Sequence, residues 1–455
     1  MISTYILSFA GVMKTIGGVL LAVVVLLAMV TIHEFGHYVA GKALGFKINE
    51  FAVGFGPAIL KKRSRKTGEL FALRIIPLGG YCAFDGEDDM EDETSDGLKQ
   101  EGASEENSAT EDDEPFREIR EETETDEVAS NVQKTENEGG MVELNEENSP
   151  ISQTEKQTEK QEKEDTEDGY PEPQGVRFND QPPWKRIIVL IAGATMNYLL
   201  ALVLLLIMVG VYGQPMCIVL PIGYTSEMEV PHAEWDDPTL CARDILLEIN
   251  GEKISMITDC IDGLKGKKAG DDVSVKVLRR AEEGWKEKTV TLTLQADADF
   301  ENMADVELMN QVMGLETYTT TLKRGGWHTV SGAFRYSAEM GTSVIRTLGE
   351  LLTGKLGIDA VGGPITTITT TAQVATNSFF SFLYISSFIG VNLAVFNLLP
   401  IPALDGCKVI FCIIEWIRKK PVNRKVETII HFVGIIALFA FAILVDVFQL
   451  FHRIF

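Results

Sequence analysis

The sequence predicts an α-helical polytopic membrane protein of four spans, with a β-hairpin after the first span and one inserted soluble domain of mixed α/β structure. Three observations predict it. Four apolar runs each approach the roughly 20 residues needed to cross about 30 Å of hydrocarbon. Charge is concentrated in one place: residues 86–175 hold 33 acidic and 7 basic side chains, a net of −26, against −25 for all 455 residues. Valines alternate with polar residues between the second and third runs, the period of a half-buried strand.

The first run, 15–32, has no charged residue and leads straight into a histidine motif. No small-residue cleavage site follows it, so it is a span and not a secretory signal. Residues 46–81 form short strands among glycines, with a turn at 64–68 closing a hairpin. The acidic stretch 86–175 is rich in Glu, Ser, Thr and Gln and nearly free of aromatics. It cannot bury enough apolar surface to fold alone and is expected to be a disordered insert. Since that insert carries the whole net charge, the low pI says little about partners. No basic patch interleaved with aromatics occurs, which argues against a nucleic-acid binder.

The second run, 187–211, is followed by a soluble domain within 213–298. Residues 244–251 form a strand ending in an Asn-Gly turn, 258–264 a short helix, and Val273, Val275, Val277 and Val290, Leu292, Leu294 two further strands. A linker with an amphipathic helix occupies 299–374, where Phe334, Met340, Val344, Leu348 and Leu352 are the expected apolar contacts. The third and fourth runs are 379–399 and 428–450, within segments 375–418 and 419–455. Basic residues 61–66 and 185–186, and again 418–425, flank the spans. They predict that these loops are cytoplasmic, with both termini and 212–378 outside. The six cysteines contain no C-x-x-C pair and are expected to be small buried hydrophobes.

His33-Glu34-Phe35-Gly36-His37 carries the chemistry. On a helix, residues four apart share a face, so His33 and His37 can reach one metal, and Glu34 can act as general base. Zinc accepts two nitrogens and one oxygen and keeps a position open for water, whose pKa it lowers to about 7. Histidines and a glutamate at membrane depth are costly and point to function. A metzincin would need Gly and His where Ala40 and Ala43 stand. The candidate third ligand is Asp405, in Asn397-Leu-Leu-Pro400-Ile-Pro402-Ala-Leu-Asp405-Gly406, where two prolines break the third span. Broken backbone at that depth is tolerated where protein or a water-filled cavity satisfies it.

Together the two motifs closely resemble the site-2 protease family of intramembrane zinc metalloproteases, in the bacterial four-span branch with an extracytoplasmic PDZ domain. Gly193-Ala-Thr-Met-Asn197 is similar to the family's G-P-x-x-N, with Ala194 for the proline, and Cys407 stands where a second glycine is usual. The resemblance implies that His33, His37 and Asp405 bind Zn2+, that Glu34 activates water and that Asn397 bonds the substrate backbone. It implies further that 46–85 is a membrane-associated β element and that 213–298 is PDZ-like. Substrates would be single-span membrane proteins already trimmed outside, such as an anti-sigma factor or signal-peptide remnants, cut at the bacterial cell membrane. Two other readings remain at this point: a membrane protease taking its third ligand from Glu, and a catalytically silent peptide-binding scaffold.

Overall fold

The computed structural model describes residues 9–87, 169–300, 305–323, 325–357 and 362–454. Most of the expected disordered insert, 88–168, therefore lies outside the described residues. The chain divides into two units, and every element below belongs to the one made of residues 1–64, 68–87 and 173–455.

Helix α1 (Phe9–Leu44) runs on through the histidine motif, since no proline interrupts 33–44. It ends at Gly45, whose φ of +78° no β-carbon opposes, with the Phe46 N–H closing back on the Gly41 carbonyl. Strands β1 (Ile48–Arg63) and β2 (Leu70–Phe84) follow, joined through the expected turn by the Gly68 N–H to Ser64 carbonyl bond. The hairpin is more folded than its spacing suggests. Residues 58–63 pair with 70–74, while Ile48 to Val53 pair both with Gly80 to Phe84 and with Leu70 to Leu73. Both strands bend where Gly54, Gly56 and Gly79 take positive φ, so two strands in the chain make four segments in space.

Helix α2 (Pro183–Tyr212) packs against α1 and against the helices that follow the soluble domain. That domain comprises β3 (Gln214–Leu220), β4 (Ile245–Ile249), β5 (Glu252–Lys253), α3 (Asp259–Leu264), β6 (Asp272–Ala281), β7 (Gly284–Thr293), α4 (Val306–Met313) and β8 (Glu316–Leu322). Its sheet runs β7-β6-β4-β3-β8, with β5 on β4. The predicted alternation is realised: Val273, Val275, Val277, Val290, Leu292 and Leu294 are all buried in one core. Burying each such side chain contributes about 1.5–3 kcal/mol. The Asn-Gly turn takes φ of +50° and +90° and leads β4 into β5. The segment expected as linker from 299 adds α4 and an edge strand, β8, paired to β3 from Gln214–Leu322 to Leu220–Glu316. Among its residues only Thr317 is fully buried, so β8 has no apolar alternation to announce it.

Helix α5 (Trp327–Leu352) buries Ala333, Tyr336, Ser337, Met340 and Val344. Here the expected contact face is corrected. Met340 and Val344 lie inward, but Phe334 and Leu352 are exposed, because the buried stripe is centred on the small residues that let α5 approach α2. Then come α6 (Pro364–Ala375), α7 (Phe379–Leu398), α8 (Asp405–Arg418) and α9 (Arg424–Ile454).

Among the described residues, four helices are long and apolar enough to cross a membrane, over Met13–Leu44, Pro183–Tyr212, Phe379–Leu398 and Arg424–Gln449. The fourth leaves Ile429, Phe432, Phe439 and Ile443 more than half exposed, as an apolar solvent would allow. Its two notable polar residues are spoken for. Asp446 accepts the Ile365 N–H at 3.1 Å, capping α6 from another helix, and His431 accepts the Ala403 N–H. All six cysteines are free thiols, and five are buried.

Candidate metal centre

Helix α1 projects His33 and His37 from successive turns of one face, and both rings are buried. Asp405 reaches them from the first residue of α8, just past the prolines that end α7. Asp405 Oδ2 lies 3.0 Å from His33 Nε2 and 3.3 Å from His37 Nε2, and the two Nε2 atoms are 3.1 Å apart. Ligand atoms set tetrahedrally at about 2.0–2.1 Å from zinc stand about 3.3 Å from one another. Among the described residues, these three form the group able to hold a metal ion.

The surroundings test whether that donor set suits a metal. His37 Nδ1 donates to the Val189 carbonyl at 2.8 Å, which fixes the proton on Nδ1 and turns the Nε2 lone pair toward the cluster. Next to His33 Nδ1 stand the amides of Asn197 at 3.3 Å and Asn397 at 3.5 Å. Asn197 is fully buried and its Oδ1 has no partner. Turning that amide over brings Oδ1 to an N–H on His33 Nδ1, which likewise leaves Nε2 as ligand. Both imidazoles can thus be held in the metal-binding tautomer, and the residues fit zinc.

Helix α2 comes this close because position 193 has no side chain. A β-carbon on Gly193 would stand 2.4 Å from His37 Nε2 and 2.8 Å from His33 Cε1. Glu34 is half-buried and its carboxylate interacts electrostatically with His33, His37 and Asp405. Strand β2 passes beside it: a β-carbon on Gly80 would lie 3.2 Å from Glu34 Cγ. Glu69, just before β2 and buried, receives the Tyr38 hydroxyl and the Lys42 ammonium, tying the hairpin to the end of α1 that follows His37.

All five residues singled out in the sequence therefore gather at one place. Asn197 was visible only as part of a motif resemblance, and the Val189 carbonyl not at all, since a main-chain acceptor leaves no mark in residue identity.

The model of peptidase family M50 matches residues 21–441. The chain is 28% identical over 415 residues to the regulator of sigma-W protease RasP of Bacillus subtilis, covering 90% of this chain and 92% of the relative. It is 25% identical over 429 residues to the zinc metalloprotease RasP of Geobacillus kaustophilus, with 92% and 94% covered. To a putative zinc metalloprotease of Staphylococcus aureus it is 27% identical over 447 residues, with 93% and 95% covered. With the family model reaching into all four membrane helices and a group able to hold a metal ion inside it, the chain belongs to peptidase family M50, the site-2 proteases, and is a zinc metalloendopeptidase.

Proposed function

We propose that His33, His37 and Asp405 hold the zinc, that Glu34 is the general base and that Asn397 orients the substrate backbone. The substrates would be single-span membrane proteins already trimmed on the outer side, cut within or beside the bilayer as the second step of regulated intramembrane proteolysis. The observation that carries this reading is the convergence of three ligand atoms from the first membrane helix and the start of α8, across 372 residues of chain. Bound there, zinc supplies a Lewis acid that polarises a carbonyl and acidifies water. Glu34, one residue beyond His33, takes the proton of the attacking water and returns it to the leaving amine as the peptide C–N bond breaks. The half-buried amide of Asn397 hydrogen-bonds the substrate near the scissile bond.

A transmembrane helix encloses its own peptide bonds, so the substrate must unwind first. The hairpin supports strand addition for this step, because β2 runs past Glu34 at Gly80. The soluble sheet domain acts as a PDZ-like size filter that excludes whole ectodomains. Lys and Arg at 61–66, 185–186 and 418–425 support placing those segments in the cytoplasm of a bacterial cell, with both termini and the sheet domain outside. The relative named for sigma-W regulation favours a membrane-held anti-sigma factor as the substrate class, with signal-peptide remnants as a second class.

The test measures zinc content and cleavage of one model substrate in two purified variants. Glu34→Gln should keep zinc and lose cleavage, whereas Asp405→Ala should lose both. Full zinc occupancy in Asp405→Ala would move the third ligand elsewhere.

A further inference from the structure

We infer that His431, on the fourth membrane helix, is a positioning residue for Asp405: it holds the bent segment that delivers the carboxylate to the imidazoles. The inference rests on the reading of Asp405 as a ligand.

Between the end of α7 and the start of α8 the chain has six residues in which to turn and present Asp405. Two of them, Pro400 and Pro402, have no N–H to anchor with. The segment does have local bonds, from the Ile401 N–H to the Leu399 carbonyl at 2.7 Å and from the Leu404 N–H to the Ile401 carbonyl at 3.1 Å. Ala403 is nevertheless held at φ +80°, one of four non-glycine residues with positive φ among those described. A β-carbon disfavours that region, so the conformation persists only if its surroundings impose it.

The constraint comes from α9. The Ala403 N–H donates to His431 Nδ1 at 3.2 Å. One turn on, Gly434 lets Pro402 settle directly on the helix: a β-carbon there would stand 2.3 Å from Pro402 Cβ and 2.9 Å from its carbonyl carbon. The His431 ring also meets Phe411 of α8 edge to face, with centroids 6.0 Å apart. His431 thus touches the chain on both sides of Asp405, two residues before it and six after. Released from that hold, Ala403 would relax to negative φ and rotate the following peptide. The Asp405 carboxylate would then swing away from His33 and His37. A helix that otherwise buries little of itself carries a histidine where it does because the ligand segment needs an acceptor.

The experiment follows release of zinc from the full-length purified enzyme to a chromogenic chelator. His431→Leu should release zinc roughly tenfold faster, within the range seen when groups supporting metal ligands are removed. His431→Asn should stay within about twofold of wild type, because its Oδ1 sits as many bonds from Cβ as Nδ1 does and accepts the same N–H. Adding Ala403→Gly to His431→Leu should slow release again, since glycine takes positive φ without opposition. Gly434→Ala should speed release by displacing Pro402, with His431 intact. Wild-type release from His431→Leu would overturn the inference. So would equal release from His431→Leu and His431→Asn, which would make the ring a packing group only. Asp405→Ala separates the two readings: zinc retained there overturns the ligand assignment and this inference with it. Zinc lost there but held normally by His431→Leu overturns this inference alone.

Discussion

His37 Nδ1 and the Val189 carbonyl lie 2.8 Å apart, a hydrogen bond between α1 and α2 across 152 residues of chain. It makes α2 part of the candidate metal centre although none of the three proposed ligands comes from it. The helix supplies a carbonyl for one imidazole, the Asn197 amide for the other and, at Gly193, the space in which both rings stand. The first two predictions follow from this dependence.

Gly193→Ala should abolish cleavage and lower zinc content well below one per chain. Its methyl group would stand 2.4 Å from His37 Nε2, the proposed ligand atom, too close for any small adjustment, and its other neighbours are the same two buried rings. Gly210→Ala on the same helix is the control, because nothing lies within 4 Å of a β-carbon there. Zinc analysis of both variants, with cleavage of one substrate, decides the matter. Equal zinc content in the two would refute a packing role for Gly193.

Asn197 and Asn397 flank the same His33 nitrogen but should fail differently. Asn197 is fully buried and can only support the ring, so Asn197→Leu should weaken zinc binding by about 10–100-fold. Asn397 is half-buried and available to substrate, so Asn397→Leu should keep zinc and lower kcat. Zinc competition titrations and single-turnover cleavage distinguish the two. Zinc loss of the same size in both variants would place Asn397 with the metal instead of the substrate.

At the six-stranded sheet, Arg279 and Asp244 form an ion pair in which both side chains are 1% exposed. The guanidinium also donates to the carbonyls of Glu234, Asp237 and Thr239, pinning the irregular approach to β4. The hydrogen bond to Asp244 holds Arg279 above its ordinary pKa, so the guanidinium stays charged at any working pH. Arg279→Met leaves a carboxylate buried without its cation and should cost about 3–5 kcal/mol. Hydrogen exchange in the full-length protein should show β4 and β6 losing protection by that amount. Adding Asp244→Leu should recover much of it.

Removing residues 88–168 should leave turnover of a detergent-solubilised helical substrate within a few-fold of wild type. Segments of such acidic, aromatic-poor composition bury little apolar surface, and the cost of closing a loop grows only slowly with its length. A hundredfold loss of turnover with zinc still bound would show that the insert helps to form the site.

What could be read in the chain was whatever is local. Hydropathy over about 20 residues located four spans, alternation located β6 and β7, and an Asn-Gly turn marked the end of β4. A spacing of four on a helix put His33 and His37 on one face, because helical geometry makes i and i+4 neighbours wherever the helix lies. The break at Pro400 and Pro402 likewise marked where the third span ends and Asp405 begins α8. Tertiary structure alone decided which groups meet these elements. It set the Val189 carbonyl against His37, folded the hairpin back on itself at its positive-φ glycines, paired the polar strand β8 with β3, and turned Phe334 and Leu352 of α5 outward. Each of these depends on a partner tens to hundreds of residues away. A main-chain carbonyl, a glycine beside a ring or a threonine-rich edge strand carries no periodicity of its own, so only the packed chain reveals it.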